Sequence, residues 1–247
     1  MSNTHSENPV ALVTGGARRI GAAIAKGLHA AGYNLIIHYR ASQSDAEVLM
    51  HSLNQQRENS AVCIQHDFDN IDSIKTFSEK TLQPWQRLDL LVNNASMFYP
   101  TPLAAATKED WNSLFNSNLQ APYFLIQALA QSLKKSQGSI INIADIYAEK
   151  PLGNHSLYCI AKAGNVMMTK SLALELAPDI RVNGIAPGAI LWPETSTNNT
   201  QQILDKIPLQ KLGNPDEIVN LVLFLAGKTH YITGQIISVD GGRSLQM

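Results

Sequence analysis

VALVTGGARRIGAAIAKGLHA, residues 10–30, carries the pattern that sets the fold. A short apolar run, 10–15, stops at paired glycines, and an amphipathic stretch over 19–31 begins at once. The same alternation continues along the chain. Apolar runs recur at NLIIHY (34–39), AVCIQ (61–65), LDLLVNN (88–94), GSIINIA (138–144), IRVNGIAP (180–187) and QIISVDGG (235–242). Helical periodicity fills 44–57, 70–82, 108–135, 155–177 and 215–227. Strands that alternate with helices predict a parallel sheet with helices on both faces. Strands buried on both sides read as near-continuous apolar runs, and these do. The expectation is therefore one α/β domain of the Rossmann-like, doubly wound kind, with a seven-stranded parallel sheet.

At 247 residues the chain suits a single large α/β domain. We expect a flexible N-terminus over 1–8 and one domain over 9–247. Net charge is −1, which gives no reason to expect a nucleic-acid or membrane partner. The two cysteines, Cys63 and Cys159, fit neither metal spacing nor a disulfide framework. The polar MSNTHSENP start lacks a signal-peptide pattern, and no apolar run is of membrane-spanning length. These features predict a cytoplasmic location. The histidines match no metal site, and His38 at a strand end reads as structural. The segment 188–205, GAILWPETSTNNTQQILD, is polar, follows a strand end and reads as a mobile loop over a site.

The first strand ends in TGGARRIG, 14–21. In a parallel sheet, ligands bind at the carboxyl ends of the strands. Gly15 and Gly16 permit the tight turn, and Gly21 lets the helix approach the sheet. The new helix then offers free N–H groups and its positive dipole end to a pyrophosphate. Where the second strand ends, in HYRAS (38–42), no acid is present to accept from a ribose hydroxyl. Arg40 and Ser42 stand there instead and suit a 2′-phosphate, so the expected cofactor is NADP(H). Asp67 ends the third strand, where it can accept from an adenine amino group or simply close a turn. NNAS, 93–96, ends the fourth with small residues and with amides that can tie strand ends together. Asn118, in an otherwise apolar helix, is either a structural hydrogen-bonder or part of a proton path.

Tyr158 and Lys162 lie one helical turn apart, on one face. An ammonium near a phenol favours the phenolate and should lower the tyrosine pKa. Asp145 stands thirteen residues before the tyrosine, at the end of an apolar run. An acid there can be a turn cap or a proton donor. A phosphate turn, NNA, Asp145, Tyr-x-x-x-Lys and a Pro-Gly after the sixth strand follow in that order.

In this order the chain resembles the short-chain dehydrogenase/reductase family over essentially its whole length. The resemblance implies hydride delivery from NADPH, proton donation by Tyr158, and a Lys162 that holds the nicotinamide ribose. Two positions depart from the common pattern: Asp145 replaces a serine, and Arg19 replaces a glycine. Both departures, with NNASMFYPTPL (93–103), NSNLQAPYFLIQAL (116–129) and GAILWPE (188–194), resemble the pteridine reductase branch. That likeness implies catalysis by Asp145, Tyr158 and Lys162. It implies cofactor contacts at Gly15, Arg19, Ile20, Arg40, Ser42, Asp67, Asn94, Ala95, Ser96, Tyr158, Lys162, Pro187 and Gly188. Substrate contacts would come from Arg19, Ser96, Phe98, Asp145, Tyr158 and Trp192, with Phe98 stacking on a pterin. It also implies a homotetramer, with the helices at 108–135 and 155–177 as contact faces.

The residues agree with that chemistry. A flat heterocycle favours an aromatic partner. Reducing a C=N bond requires a proton at nitrogen, which a carboxyl of raised pKa can supply and a serine cannot. The expected reaction is NADPH-dependent reduction of dihydropterins, extending to oxidised pterin and to folate or dihydrofolate. The competing readings are a carbonyl reductase acting on a 3-oxoacyl thioester and a non-catalytic NADP-sensing protein. Asp145, Phe98 and Arg19 stand against the first; the retained Tyr158 and Lys162 stand against the second.

Overall fold

The structure, a computed structural model, describes residues 8–191 and 200–246. Seven strands form one parallel sheet: Val10–Val13 (β1), Asn34–Tyr39 (β2), Ala61–Gln65 (β3), Leu90–Asn93 (β4), Ser139–Ile143 (β5), Arg181–Pro187 (β6) and Ile236–Val239 (β7). Their order is β3-β2-β1-β4-β5-β6-β7. The order reverses between β1 and β4, and a crevice opens at that switch point. The expected α/β, doubly wound sheet is what forms.

Alternation along each strand builds two cores. Ala11, Val13, Leu35, Ile37, Leu90, Val92, Ile141 and Ile185 face one side. They pack on helices Arg19–Ala30 (α1), Gln43–Gln56 (α2) and, further along the chain, Pro215–Leu223. Val10, Leu12, Ile36, Leu91, Ile140 and Val182 face the other side. There they meet Ile74–Leu82 (α3), Ala121–Lys135 and Ser156–Glu175. Every residue of β1 is fully buried, which is why both parities of that strand had to be apolar.

The long helix expected over 108–135 is Lys108–Phe115 (α4) and Ala121–Lys135 (α5), joined by a π turn at Asn116–Gln120. A capping box of Thr107 and Asp110 starts it. Ser156–Glu175 (α6) follows a short 3-10 turn at Ile146–Ala148. The segment expected as a loop at 188–205 contains a short helix, Thr200–Leu204 (α7), because TQQIL can close one turn. Its residues 192–199, with Trp192, lie outside the described residues, as does 1–7 of the expected flexible N-terminus. Pro215–Leu223 (α8) starts at a second capping box, Asn214 with Glu217. Among the described residues no helix is long and apolar enough to cross a membrane, and no group of three or more His, Cys, Asp or Glu could hold a metal ion.

Candidate active site

The turn after β1 is built for close approach. Gly15 stands at φ +60°, and a Cβ on it would lie 3.0 Å from Ala95 Cα. A Cβ on Gly21 would lie 2.1 Å from the Gly15 carbonyl oxygen, so only glycine lets α1 start this close to the strand end. Asn94 stitches the turn to β4: its Nδ2 donates to Thr14 O at 2.9 Å and to Gly15 O at 3.1 Å. The backbone N–H groups of Asn94 and Ala95 both donate to Thr14 Oγ1. One strand further along, Asn93 Nδ2 donates to Asn142 Oδ1 at 2.8 Å. The expected amide ties between strand ends are therefore present.

Gly15, Arg40, Ser42, Asp67, Ala95 and Ser96 line one cleft, together with Arg18, His38, Phe68 and Met97. No side-chain cap closes the start of α1. An uncapped helix start, a glycine turn and two arginines fit a dinucleotide carrying an extra phosphate. Arg40 Nη1 donates to Met97 Sδ at 3.4 Å. Asp67 Oδ1 accepts from the Asp69 N–H, the turn-closing role that was one of its two readings. Ile20 is partly buried, and its side chain packs against the core. Pro187 ends β6, and Gly188 N donates to Val239 O.

Arg19 stands at φ +52°, a left-handed conformation that favours glycine. Its side chain borders a groove between α1 and α8, with Lys26, Asn214 and Asp216. Arg18, its neighbour, lines the cleft that holds Arg40 and Ser42 and lies 3.8 Å from Asp45.

Asp145 closes a turn with one carboxylate oxygen and meets the tyrosine with the other. Its Oδ1 caps the following turn by accepting from Tyr147 N at 2.8 Å. Its Oδ2 accepts from Tyr158 Oη at 2.6 Å. Burial pushes the Asp145 carboxyl above the usual range, and the hydrogen bonds from Tyr158 and Tyr147 only partly offset this. Tyr158 and Lys162 are 4% and 2% exposed, too buried to be a surface helix pair. Lys162 Nζ donates to Ile143 O at 2.8 Å and lies 5.8 Å from the Tyr158 ring centroid. Burial lowers the Lys162 ammonium to about 8.

The expected lowering of the Tyr158 pKa by Lys162 is corrected here. Burial, then the adjacent Asp145 charge, holds the phenol far above its ordinary value. Lys162 spends its hydrogen bond on a carbonyl, and its charge acts on Asp145 instead.

Ser96 Oγ donates to Asn118 Oδ1 at 2.7 Å and also reaches Tyr158. Asn118 Nδ2 donates to Met97 O and Leu114 O, and its own carbonyl accepts from Asn165 Nδ2. Its side chain is thus fully committed within the protein, which supports the structural reading. Phe98 is 53% exposed beside the site. It stacks on His155, with centroids 4.8 Å apart, and meets the Tyr158 ring edge-on. His155 was not singled out in the sequence, nor was Arg243, whose Nη2 donates to Tyr147 Oη at 3.0 Å. Both come from segments whose placement over the site depends on tertiary packing.

The family model described as Enoyl-(Acyl carrier protein) reductase matches residues 15–244. The chain is 40% identical to Pteridine reductase 1 of Leishmania tarentolae over an alignment 280 positions long, covering 96% of each chain. It is 35% identical to a 3-oxoacyl-[acyl-carrier-protein] reductase of Synechocystis sp., covering 94% of this chain and 96% of that one. A 3-oxoacyl-[acyl-carrier-protein] reductase of Staphylococcus aureus is 36% identical at the same coverage. With the parallel sheet, the glycine turn and the Tyr158–Lys162 pair, these matches show that the chain belongs to the short-chain dehydrogenase/reductase family of oxidoreductases.

Proposed function

We propose that this chain is an NADPH-dependent reductase of pterins, taking dihydropterin to tetrahydropterin and extending to oxidised pterin and to folate or dihydrofolate. The observation that carries the reading is the 2.6 Å hydrogen bond from Tyr158 to Asp145. Bound NADPH supplies the hydride. Arg18, Arg40 and Ser42 hold its phosphates, and Lys162 reaches its nicotinamide ribose. The Tyr158 hydroxyl, whose single proton points at Asp145, would turn it to the substrate ring nitrogen, and a protonated Asp145 would replace it. Because burial raises the Asp145 carboxyl, the site keeps a transferable proton towards neutral pH. Phe98 offers a ring face beside this centre for a flat heterocycle.

The 3-oxoacyl thioester reading is favoured by the bacterial relatives. The test is loss of NADPH absorbance with purified protein, given a dihydropterin or a 3-oxoacyl thioester at equal concentration. Turnover of the pterin is expected. Turnover of the thioester alone would overturn the pterin assignment.

A homotetramer in the cytoplasm completes the proposal. Ile160, Met167 and Leu174 recur every seventh residue on α6 and are 50%, 60% and 83% exposed. Such an apolar stripe suits a subunit contact, and sedimentation of the purified chain checks it.

A further inference from the structure

The cleft has one lining residue whose bonding is unusually determinate. His38, the fifth residue of β2, is 2% exposed. Its ring is held by packing: Phe68 lies 4.4 Å from it and Phe77 meets it edge-on at 5.3 Å. Its two nitrogens are held by hydrogen bonds. The Gly15 N–H points at Nδ1 at 3.0 Å, and Nε2 lies 3.1 Å from the carbonyl oxygen of His66. A backbone N–H can only donate, so Nδ1 must be the bare nitrogen. A carbonyl can only accept, so Nε2 must carry the proton. The ring is therefore neutral and fixed in one tautomer.

Three consequences follow. The ring braces three neighbouring strand ends: the turn after β1, β2 itself and the residue after β3. The N–H of Gly15 is spent inside the protein, so the phosphate donors of this loop must come from later in the turn and from α1. The Gly16 N–H is spent as well, on His38 O at 2.9 Å. One residue thus takes both N–H groups of the paired glycines and sets the angle at which the turn leaves the sheet.

We propose that His38 is a positioning residue for the dinucleotide, its unprotonated Nδ1 holding Gly15 so that the phosphate loop is preformed for the cofactor. The proposal rests on the dinucleotide reading of the cleft. It assigns work to a side chain that touches neither hydride nor proton donor. Preformation matters because a loop that must be ordered on binding gives up affinity to do so.

The experiment is NADP+ titration of three proteins by calorimetry: wild type, His38→Asn and His38→Phe. Asparagine places Oδ1 where Nδ1 stood and can still accept from Gly15; phenylalanine cannot. The expected result is a dissociation constant within about 3-fold of wild type for His38→Asn and at least ~10-fold weaker for His38→Phe. Equal affinity in all three, or equal loss in both variants, overturns the proposal. Wild type that binds no NADP+ sinks the dinucleotide reading itself, a different outcome. Nitrogen NMR of 15N-histidine-labelled wild type reads the tautomer directly and does not depend on either variant folding. A bare Nδ1 with a protonated Nε2 on His38 is expected at neutral pH; the opposite tautomer overturns the proposal.

Discussion

Tyr158 donates to Asp145 across 2.6 Å, while the other Asp145 oxygen is held by the N–H of Tyr147. The carboxylate is thereby aimed at the phenol along a fixed line. A serine at 145 would be shorter, neutral and unable to hold both partners. Asp145→Ser should therefore lower kcat for dihydropterin by about 100-fold or more, the scale of one lost acid–base group. Asp145→Asn keeps the shape but cannot hold the proton, and should fall similarly. Steady-state kinetics checks both. Turnover near wild type in either variant would remove Asp145 from the chemistry.

Lys162 illustrates stability given up for function. A lysine free in the unfolded chain keeps its proton to 10.5, whereas buried Lys162 releases it at about 8. The difference, 10.5 − 8, corresponds to about 3 kcal/mol against folding at neutral pH. The unfolded state binds more protons between those values, so stability should rise with pH from about 8 to 10.5. Lys162→Met removes the buried charge. It should raise Tm at pH 7, flatten that alkaline rise and abolish turnover. A lower Tm in the variant would mean that the bond to Ile143 outweighs the burial penalty.

The sheet and its order of elements were legible because β1, β2 and β5 are buried on both faces and must be apolar throughout. Asp145, Tyr158 and Lys162 were legible because their spacing survives as sequence distance. The π turn at Asn116–Gln120 was hidden, since a single five-residue turn is too short to show a period of its own in the sequence. The rise in the Tyr158 pKa was hidden too. Neighbouring residues in sequence suggest the charge of Lys162, but burial and Asp145 decide the outcome. Arg243 reaches the site through packing alone, while His155, at the start of α6, stacks on Phe98, a contact that sequence distance does not show.

Arg40 and Ser42 line the cleft at the end of β2, with Asp67 beside them. A guanidinium there favours a 2′-phosphate by charge-assisted hydrogen bonds. Arg40→Asp reverses the charge and supplies an acceptor for a ribose hydroxyl. The ratio of kcat/KM for NADPH over NADH should fall by about 100-fold or more, mostly through a higher KM for NADPH. An unchanged ratio would place the phosphate elsewhere.

Arg19 at φ +52° pays a conformational cost of about 1 kcal/mol that glycine would not. Arg19→Gly should raise the thermal midpoint slightly, offset in part by the freer unfolded chain. Gly15→Ala, at φ +60° and against Ala95, should lower it by several degrees. Calorimetry of the two variants gives opposite signs if the turn is set as described. Two shifts of the same sign would contradict it.

His38 sets the acid limit. Burial lowers its ring from 6.5 to about 4; the His66 carbonyl partly opposes this, and the titratable groups acting on the ring are His66 and Asp67 at the end of β3. On acidification the unfolded chain takes up its proton first. The stabilisation is full above about 6.5 and drains away as pH falls towards 4. The gap, 6.5 − 4, is worth about 3 kcal/mol. His66, lowered chiefly by burial and faced by Lys80 of α3, adds to the same slope. Denaturant midpoints should fall steadily between pH 6.5 and 4.5 in wild type. In His38→Asn, which has no ring to protonate, the fall should be shallower by up to about 3 kcal/mol. Identical slopes would mean that His38 does not contribute to acid stability here.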